Sequence, residues 1–176
     1  MNLSITPATP DDIPAIVTLL DEIDQYYGAT EAEDPADRRS FVQRLVLGDR
    51  PAAHVLLARH DSEVVGLASY SYLWPAKGAT HSLFLKELYV RAASRRCGVG
   101  RALMDRLFDI AAAAGCTRIE WAADLGNDTA LNFYKHLGVA AEENKVLYRV
   151  ERTDQTSAAH NPDHPATWQG EPPRQM

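Results

Sequence analysis

The stretch Leu83 to Gly100, LFLKELYVRAASRRCGVG, constrains this chain more than any other. An apolar strand runs into a loop with the pattern R-x-x-G-x-G, set by Arg95, Gly98 and Gly100. A helix with apolar spacing starts at once, carrying Leu103, Met104, Leu107, Phe108, Ile110 and Ala111. The first N–H groups of a helix have no partner inside it, and they point at whatever sits in the turn. A strand, a glycine-containing turn and a helix N-terminus therefore make an anion site. Gly98 and Gly100 remove side chains that would hold a phosphate away, and Arg95 and Arg96 add positive charge at the mouth. The same segment also reads as a tight connection that binds nothing.

Two familiar phosphate motifs are excluded. A P-loop needs a lysine followed by Ser or Thr after its last glycine, and none follows Gly100. A dinucleotide fingerprint needs a third glycine near the start of a βαβ unit, and this turn lies mid-chain without it.

The next segment repeats the alternation. Gly115 suits a helix C-cap, and Cys116 to Ala123 (CTRIEWAA) reads as a strand. Then comes NDTALNFYKHLG, Asn127 to Gly138. Asn127 or Asp128 can cap that helix, and Ala130, Phe133, Tyr134 and Leu137 share one face. Strand, crossover helix and strand imply a parallel pair with a right-handed crossover.

R-x-x-G-x-G after an L-Y-V strand, followed by N-x-x-A-x-x-F-Y-x-x-x-G, resembles the GNAT superfamily of acetyl-CoA-dependent N-acetyltransferases. Leu3 to Ala8 with Asp11 and Asp12 resembles that family's first strand and helix entry, so the likeness covers most of residues 1 to 152. KELYV, NDTALNFYKHLG and SYLWPAKGATHSLFL look most like the spermidine/spermine (diamine) and thialysine acetyltransferase branch. The resemblance implies an α/β (α+β) fold. Its central mixed sheet is mostly antiparallel, with six to seven strands, about four helices and a splayed parallel pair in the middle.

The remaining chain is consistent with this. Leu3 to Thr6 reads as a strand, Asp11 to Tyr27 and Ala36 to Leu47 as helices, and Ala53 to Arg59 with Glu63 to Leu73 as a hairpin turning at Asp61-Ser62. Lys145 to Glu151 alternates as a closing strand. We expect one domain over 1–152, since 176 residues suffice to bury roughly 70 % of the unfolded surface. Residues 153–176, with four prolines and little apolar content, read as a disordered tail.

Composition narrows the partners. A formal net charge of −6 argues against nucleic acid or an acidic membrane. No run approaches the roughly 18 apolar residues of a spanning helix, and no basic-then-apolar leader opens the chain, so a cytoplasmic protein is expected. Cys97 and Cys116 make neither a disulfide framework nor a metal site, and the histidines lack ligand spacing, so no metal is expected. Both cysteines read as fillers, although Cys97 near a helix N-terminus also reads as a reactive thiol.

Acetyl transfer from a thioester to an amine needs an anchored nucleotide, a polarised carbonyl, a base for the amine and an acid for the thiolate. The resemblance implies acetyl-CoA as cosubstrate, held by Arg95, Arg96, Cys97, Gly98, Val99, Gly100 and Arg101 at the pyrophosphate. It implies further contacts to the cosubstrate from Asn127 and Ala130. The pantetheine arm, which is peptide-like, would pair with Leu88, Tyr89 and Val90 where a bulge splays this strand from the one at Cys116. The Val90 N–H would polarise the acetyl carbonyl. Tyr134 is the implied general acid, with a core aromatic as its other reading. Glu87 is the candidate base, and a Lys–Glu pair at a strand edge is its other reading. Simple alternation puts Lys86, Leu88 and Val90 on one face and Glu87 and Tyr89 on the other.

The chain departs from the family pattern at three positions. Lys86 replaces the first of two acids, Ala92 stands for a frequent proline, and Arg96 stands for a frequent glycine. If that last position is left-handed, Arg96 costs about 1 kcal/mol or more.

On the acceptor side, Tyr26 and Tyr27 are flanked by Asp21, Glu22, Asp24, Glu31, Glu33 and Asp34, which would suit a cationic amine. Those acids also read as a solvated helix face with an acidic loop. Trp74 and His81 are weaker acceptor candidates. The expected function is acetylation of a small amine such as a polyamine, amino acid or amino-bearing antibiotic. A protein lysine or N-terminal acetyltransferase and a non-catalytic acyl-CoA-binding module are the alternatives. Homodimerisation is common in the family.

Overall fold

The computed structural model describes residues 2–29, 33–152 and 168–169, the last pair and 151–152 by backbone alone. It divides into two compact units, residues 1–133 and 134–176.

The first unit is built on a five-stranded sheet in the order β1-β2-β3-β4-β5. The strands are β1 (Leu3–Pro7), β2 (His54–His60), β3 (Glu63–Leu73), β4 (Ser82–Val90) and β5 (Ile119–Trp121). All neighbours are antiparallel except β4 and β5, which pair in parallel at Leu83–Ile119, Phe84–Glu120 and Leu85–Trp121. The expected parallel pair and the expected mix of strand directions are present, but among the described residues the pair lies at the edge of the sheet rather than in its middle. The central sheet has five strands among the described residues rather than six or seven. Hydrogen bonds of β5 to β4 end at Leu85, and β4 then continues for five residues without it.

α1 (Ile13–Tyr26) and α2 (Pro35–Val46) lie between β1 and β2 in the chain. Ile16, Val17, Leu19 and Ile23 of α1 and Val42 of α2 pack on Val55, Leu57, Val64 and Leu67 of the sheet. Leu56 and Ala58, alternating with these, are equally buried, which puts core on both faces of β2. α3 (Val99–Ala113) crosses strands β1 to β4 through a buried stripe of Val99, Leu103, Met104, Leu107 and Ala111. Its i, i+4 spacing is the helical period read from the sequence.

α4 (Asp128–His136) begins in the first unit and ends in the second. In the second unit, residues 145–150 have no regular structure, and Val146, Leu147 and Tyr148 are exposed. The closing strand expected at Lys145 to Glu151 is therefore reduced to β6 (Glu151–Arg152), paired antiparallel with β7 (Trp168–Gln169). A strand persists only where a neighbour takes its backbone hydrogen bonds, and Trp168–Gln169 supplies them to Glu151–Arg152. That pair lies inside the stretch expected to be a disordered tail; the rest of 153–176 lies outside the described residues. Among the described residues, no helix is long and apolar enough to cross a membrane.

Candidate active site

The turn after β4 has the anticipated shape. Residues 92–94 form one 3-10 turn, Arg96 and Gly98 follow with φ of 60° and 83°, and α3 begins at Val99. Gly98 is the N-cap of α3, and no side chain caps that end. The N–H groups of its first turn are left to an external acceptor. Gly100 serves a different purpose, since a Cβ there would stand 3.3 Å from the Phe133 ring. Val99 is buried and can offer only its backbone, whereas Arg96, Cys97 and Arg101 are exposed. Exposure removes the filler reading of Cys97.

Arg95 is placed otherwise than expected. Its Nε donates to the Val90 carbonyl at 2.9 Å, and its guanidinium lies over the rings of Tyr26 (5.3 Å) and Tyr89 (5.9 Å). It ties the turn to β4 and to the end of α1, so the cations flanking the glycine turn are Arg96 and Arg101. Asn127 accepts from the Ala130 N–H at 3.0 Å and so caps α4.

β4 carries an open edge past Leu85. The Arg91 N–H donates to Val65, which makes Gly66–Val90 and Ala68–Leu88 the non-hydrogen-bonded pairs of the β3–β4 ladder. The N–H groups of Leu88 and Val90 consequently point away from β3, toward the side where β5 has ended. The splay expected here is present, and β4 carries the expected bulge where its pairing with β5 ends. Ser69 pairs with Glu87 and Tyr70 with Leu85, so Lys86 is an extra residue opposite β3. This bulge corrects the simple alternation. Lys86 and Glu87, adjacent in sequence, line the same cavity.

That cavity, about 250 Å³, lies between the two N-terminal helices and the sheet. Its walls are Ile16, Leu20 and Ile23 of α1, Val42 and Val46 of α2, and Val55 and Leu67 of the sheet. Ser69, Lys86 and Glu87 are its polar lining. Glu87 is half-buried, and burial raises its pKa above the ordinary carboxylate value, with the Asp124 charge adding to the rise. The neighbouring Lys86 charge, the Tyr27 hydroxyl and the Leu88 N–H oppose it. The Tyr27 hydroxyl donates to Glu87 Oε1 at 3.5 Å, and burial together with the Glu87 charge raises the Tyr27 pKa.

A second cleft, about 500 Å³, is lined by Tyr26, Tyr27, Asp124, Gly126, Asn127, Asp128 and Thr129. Both tyrosines line this cleft, and Tyr27 reaches Glu87 from it. Asp124 was not anticipated, although its place just after the β5 strand was a usable signal. Trp74 and His81 lie at the opposite end of β4, about 20 Å along the strand from Glu87 by its rise per residue. Tyr134 lies on α4 in the second unit, where its carbonyl accepts from Leu137 and Val139.

The acids around Tyr26 are mostly engaged. Buried Arg38 bonds Asp21 (2.8 Å), Asp24 (2.6 Å) and Glu33 (3.0 Å). Glu22 pairs with Arg91 at 2.9 Å and accepts from the Tyr89 hydroxyl at 3.2 Å. Asp34 caps α2 through the Ala36 N–H. Glu31 lies outside the described residues. Among the described residues no cluster of His, Cys, Asp and Glu could hold a metal ion.

The model of the Acetyltransferase (GNAT) family matches residues 16–139. The Caenorhabditis elegans thialysine N-epsilon-acetyltransferase is 24 % identical over 155 residues, covering 85 % of this chain and 92 % of that protein. The human spermidine/spermine N(1)-acetyltransferase-like protein 1 is 26 % identical over 163 residues, and the chain spans only 23 % of its length. An integron cassette protein from the mobile metagenome of V. cholerae shares the fold with a TM-score of 0.77 and 28 % identity, over 86 % of this chain and 93 % of that one. An aminoglycoside acetyltransferase from a soil metagenome shares the fold at a TM-score of 0.68 and 20 % identity, over 84 % of this chain and 94 % of that one.

Proposed function

The chain belongs to the GNAT acetyltransferase family, and on that premise we propose that it transfers an acetyl group from acetyl-CoA to a primary amine of a small molecule. The observation that carries this reading is the end of β4. A half-buried carboxylate with a raised pKa, Glu87, stands three residues before an outward-pointing N–H, that of Val90. An uncapped helix N-terminus follows within one turn of chain.

Each element takes one task. The N–H groups at the start of α3, with Arg96 and Arg101, hold the pyrophosphate. The open edge of Leu88 to Val90 pairs with the pantetheine arm, and Arg95 keeps that edge and the turn in register. Glu87 takes a proton from the acceptor ammonium; its raised pKa suits a base working near neutral pH. The amine nitrogen attacks the thioester carbonyl, the C–N bond forms, and the Val90 N–H receives the developing oxyanion. The C–S bond then breaks. Tyr134 is the proposed proton donor to the thiolate, a role that rests on its place in the N-x-x-A-x-x-F-Y motif. The proton released by nitrogen as the amide forms balances the one the thiolate takes up, and the proton on Glu87 passes to solvent.

Release of free thiol from acetyl-CoA against a panel of small amines tests the reading. Turnover with a small amine, lowered about 10²- to 10⁴-fold in Glu87→Gln, supports it. Turnover with peptides alone moves the protein to protein acetylation, and acetyl-CoA binding without any turnover leaves a binding module.

A further inference from the structure

Protein interiors seldom keep voids much larger than a water molecule, because unfilled apolar volume is costly. The cavity between α1, α2 and the sheet is instead open to solvent on one side, with its apolar depth reaching into the core. Its walls are aliphatic, and the charged groups among its lining are one carboxylate and one ammonium, both on β4. The Lys86 bulge brings them together; in a regular strand, neighbouring side chains would face opposite sides. Lys86 is exposed and Glu87 half-buried, so the polar end of the cavity is its solvent side.

Building on the acetyl-transfer reading above, we infer that the acceptor is an α-amino acid with an apolar side chain: its amine meets Glu87, its carboxylate meets Lys86, and its side chain fills the cavity. Size agrees. An apolar cavity of about 150 Å³ accepts a benzene molecule, and this one measures about 250 Å³. Branched aliphatic and phenyl side chains fit within it.

Charge agrees as well. A polyamine needs several unpaired acids along its length. Of the described acids flanking Tyr26 in sequence, Asp21, Asp24 and Glu33 are bound by Arg38, Glu22 by Arg91, and Asp34 is a helix cap, so that Asp124 and Asp128 are the acids that line the cleft with Tyr26. A lysine beside the proposed base repels a polycation and attracts a carboxylate. The substitution that departs from the polyamine branch is thus the one that suits an amino acid.

The experiment measures thiol release with leucine, phenylalanine, glycine, isoamylamine, spermidine, an aminoglycoside and a peptide amide beginning with leucine. We expect kcat/KM for leucine to exceed that for glycine by about 10-fold or more, the worth of apolar contacts in a specificity pocket. Lys86→Ala should raise KM for leucine several-fold more than KM for isoamylamine, which lacks the carboxylate and senses Lys86 only through the charge it places beside Glu87. Val46→Phe, which narrows the cavity, should depress leucine more than glycine. Should Val46→Phe fail to fold, the wild-type size series and Lys86→Ala still decide the matter. Turnover of spermidine, an aminoglycoside or the peptide amide, with leucine at background, overturns this inference and leaves acetyl transfer standing. Equal response of leucine and isoamylamine to Lys86→Ala also overturns it. Silence with every amine overturns both readings.

Discussion

Glu87 shows how one residue carries both a cost and a task. It binds its proton more tightly in the folded chain than in the unfolded one, chiefly through burial. The stability it contributes is therefore fully present below its unfolded pKa and is lost as pH rises through the higher folded value. Glu87→Gln removes that loss. The variant should be at least as stable as the wild type at neutral pH by thermal melting, while kcat falls about 10²- to 10⁴-fold. The acid limb of the wild-type pH–rate profile should lie above the usual carboxylate range and vanish in the variant. Tyr134→Phe should lower kcat over a similar span, about 10²- to 10⁴-fold, while acetyl-CoA affinity stays unchanged by calorimetry. Arg96 supplies a backbone test. Its φ of 60° is left-handed, so Arg96→Gly should be more stable than Arg96→Ala by about 1 kcal/mol, two changes that remove the same charge.

At the scale of elements, β4 works because β3 comes very close to it. A Cβ at Gly66 would stand 2.6 Å from the Tyr89 carbonyl oxygen and 3.3 Å from the Val90 Cα. Gly66→Ala must push β4 away at the residue whose N–H is proposed to hold the oxyanion. It should cut kcat more than it raises KM for acetyl-CoA, and lower the melting temperature. The α1–α2 pair depends instead on one buried cation. Arg38 gathers Asp21, Asp24 and Glu33, and their charges hold the guanidinium pKa above its ordinary value against the cost of burial. Arg38→Met leaves three acids facing one another. It should destabilise the chain by roughly 1–3 kcal/mol, with the loss shrinking as salt screens the repulsion. Denaturant titration at two ionic strengths reads both effects. Three of the six acids that would suit a cation by sequence, Asp21, Asp24 and Glu33, are in the fold the ligands of Arg38.

For the whole molecule, cosubstrate binding should appear as stability. A ligand at 100 times its dissociation constant adds about 2.7 kcal/mol. That corresponds to a rise in melting temperature of about 5–11 °C for a chain of this size. Acetyl-CoA should produce such a rise in the wild type. Gly98→Val forces a β-branched residue into a φ of 83° at the helix N-cap, and it should abolish most of the shift. A variant that melts lower and still shows the full shift would remove the α3 turn from the site.

Much of this protein is local in origin, and that part was legible in its sequence. Period-3.6 and period-2 patterns specify α1, α3, the β2–β3 hairpin and the β4–turn–α3 unit, because side-chain spacing and glycine geometry act within a few residues. The left-handed turn at Arg96 and Gly98 and the helix cap at Asn127 follow from the same short-range chemistry. Three features depend on neighbours far along the chain, and only tertiary structure decided them. Lys86 lines the cavity because β3 lacks a residue opposite it. Arg95 faces tyrosines because α1 ends beside β4. Lys145 to Val150 alternates like a strand yet has no regular structure, because alternation supplies the side chains of a strand and not the partner that completes its hydrogen bonds.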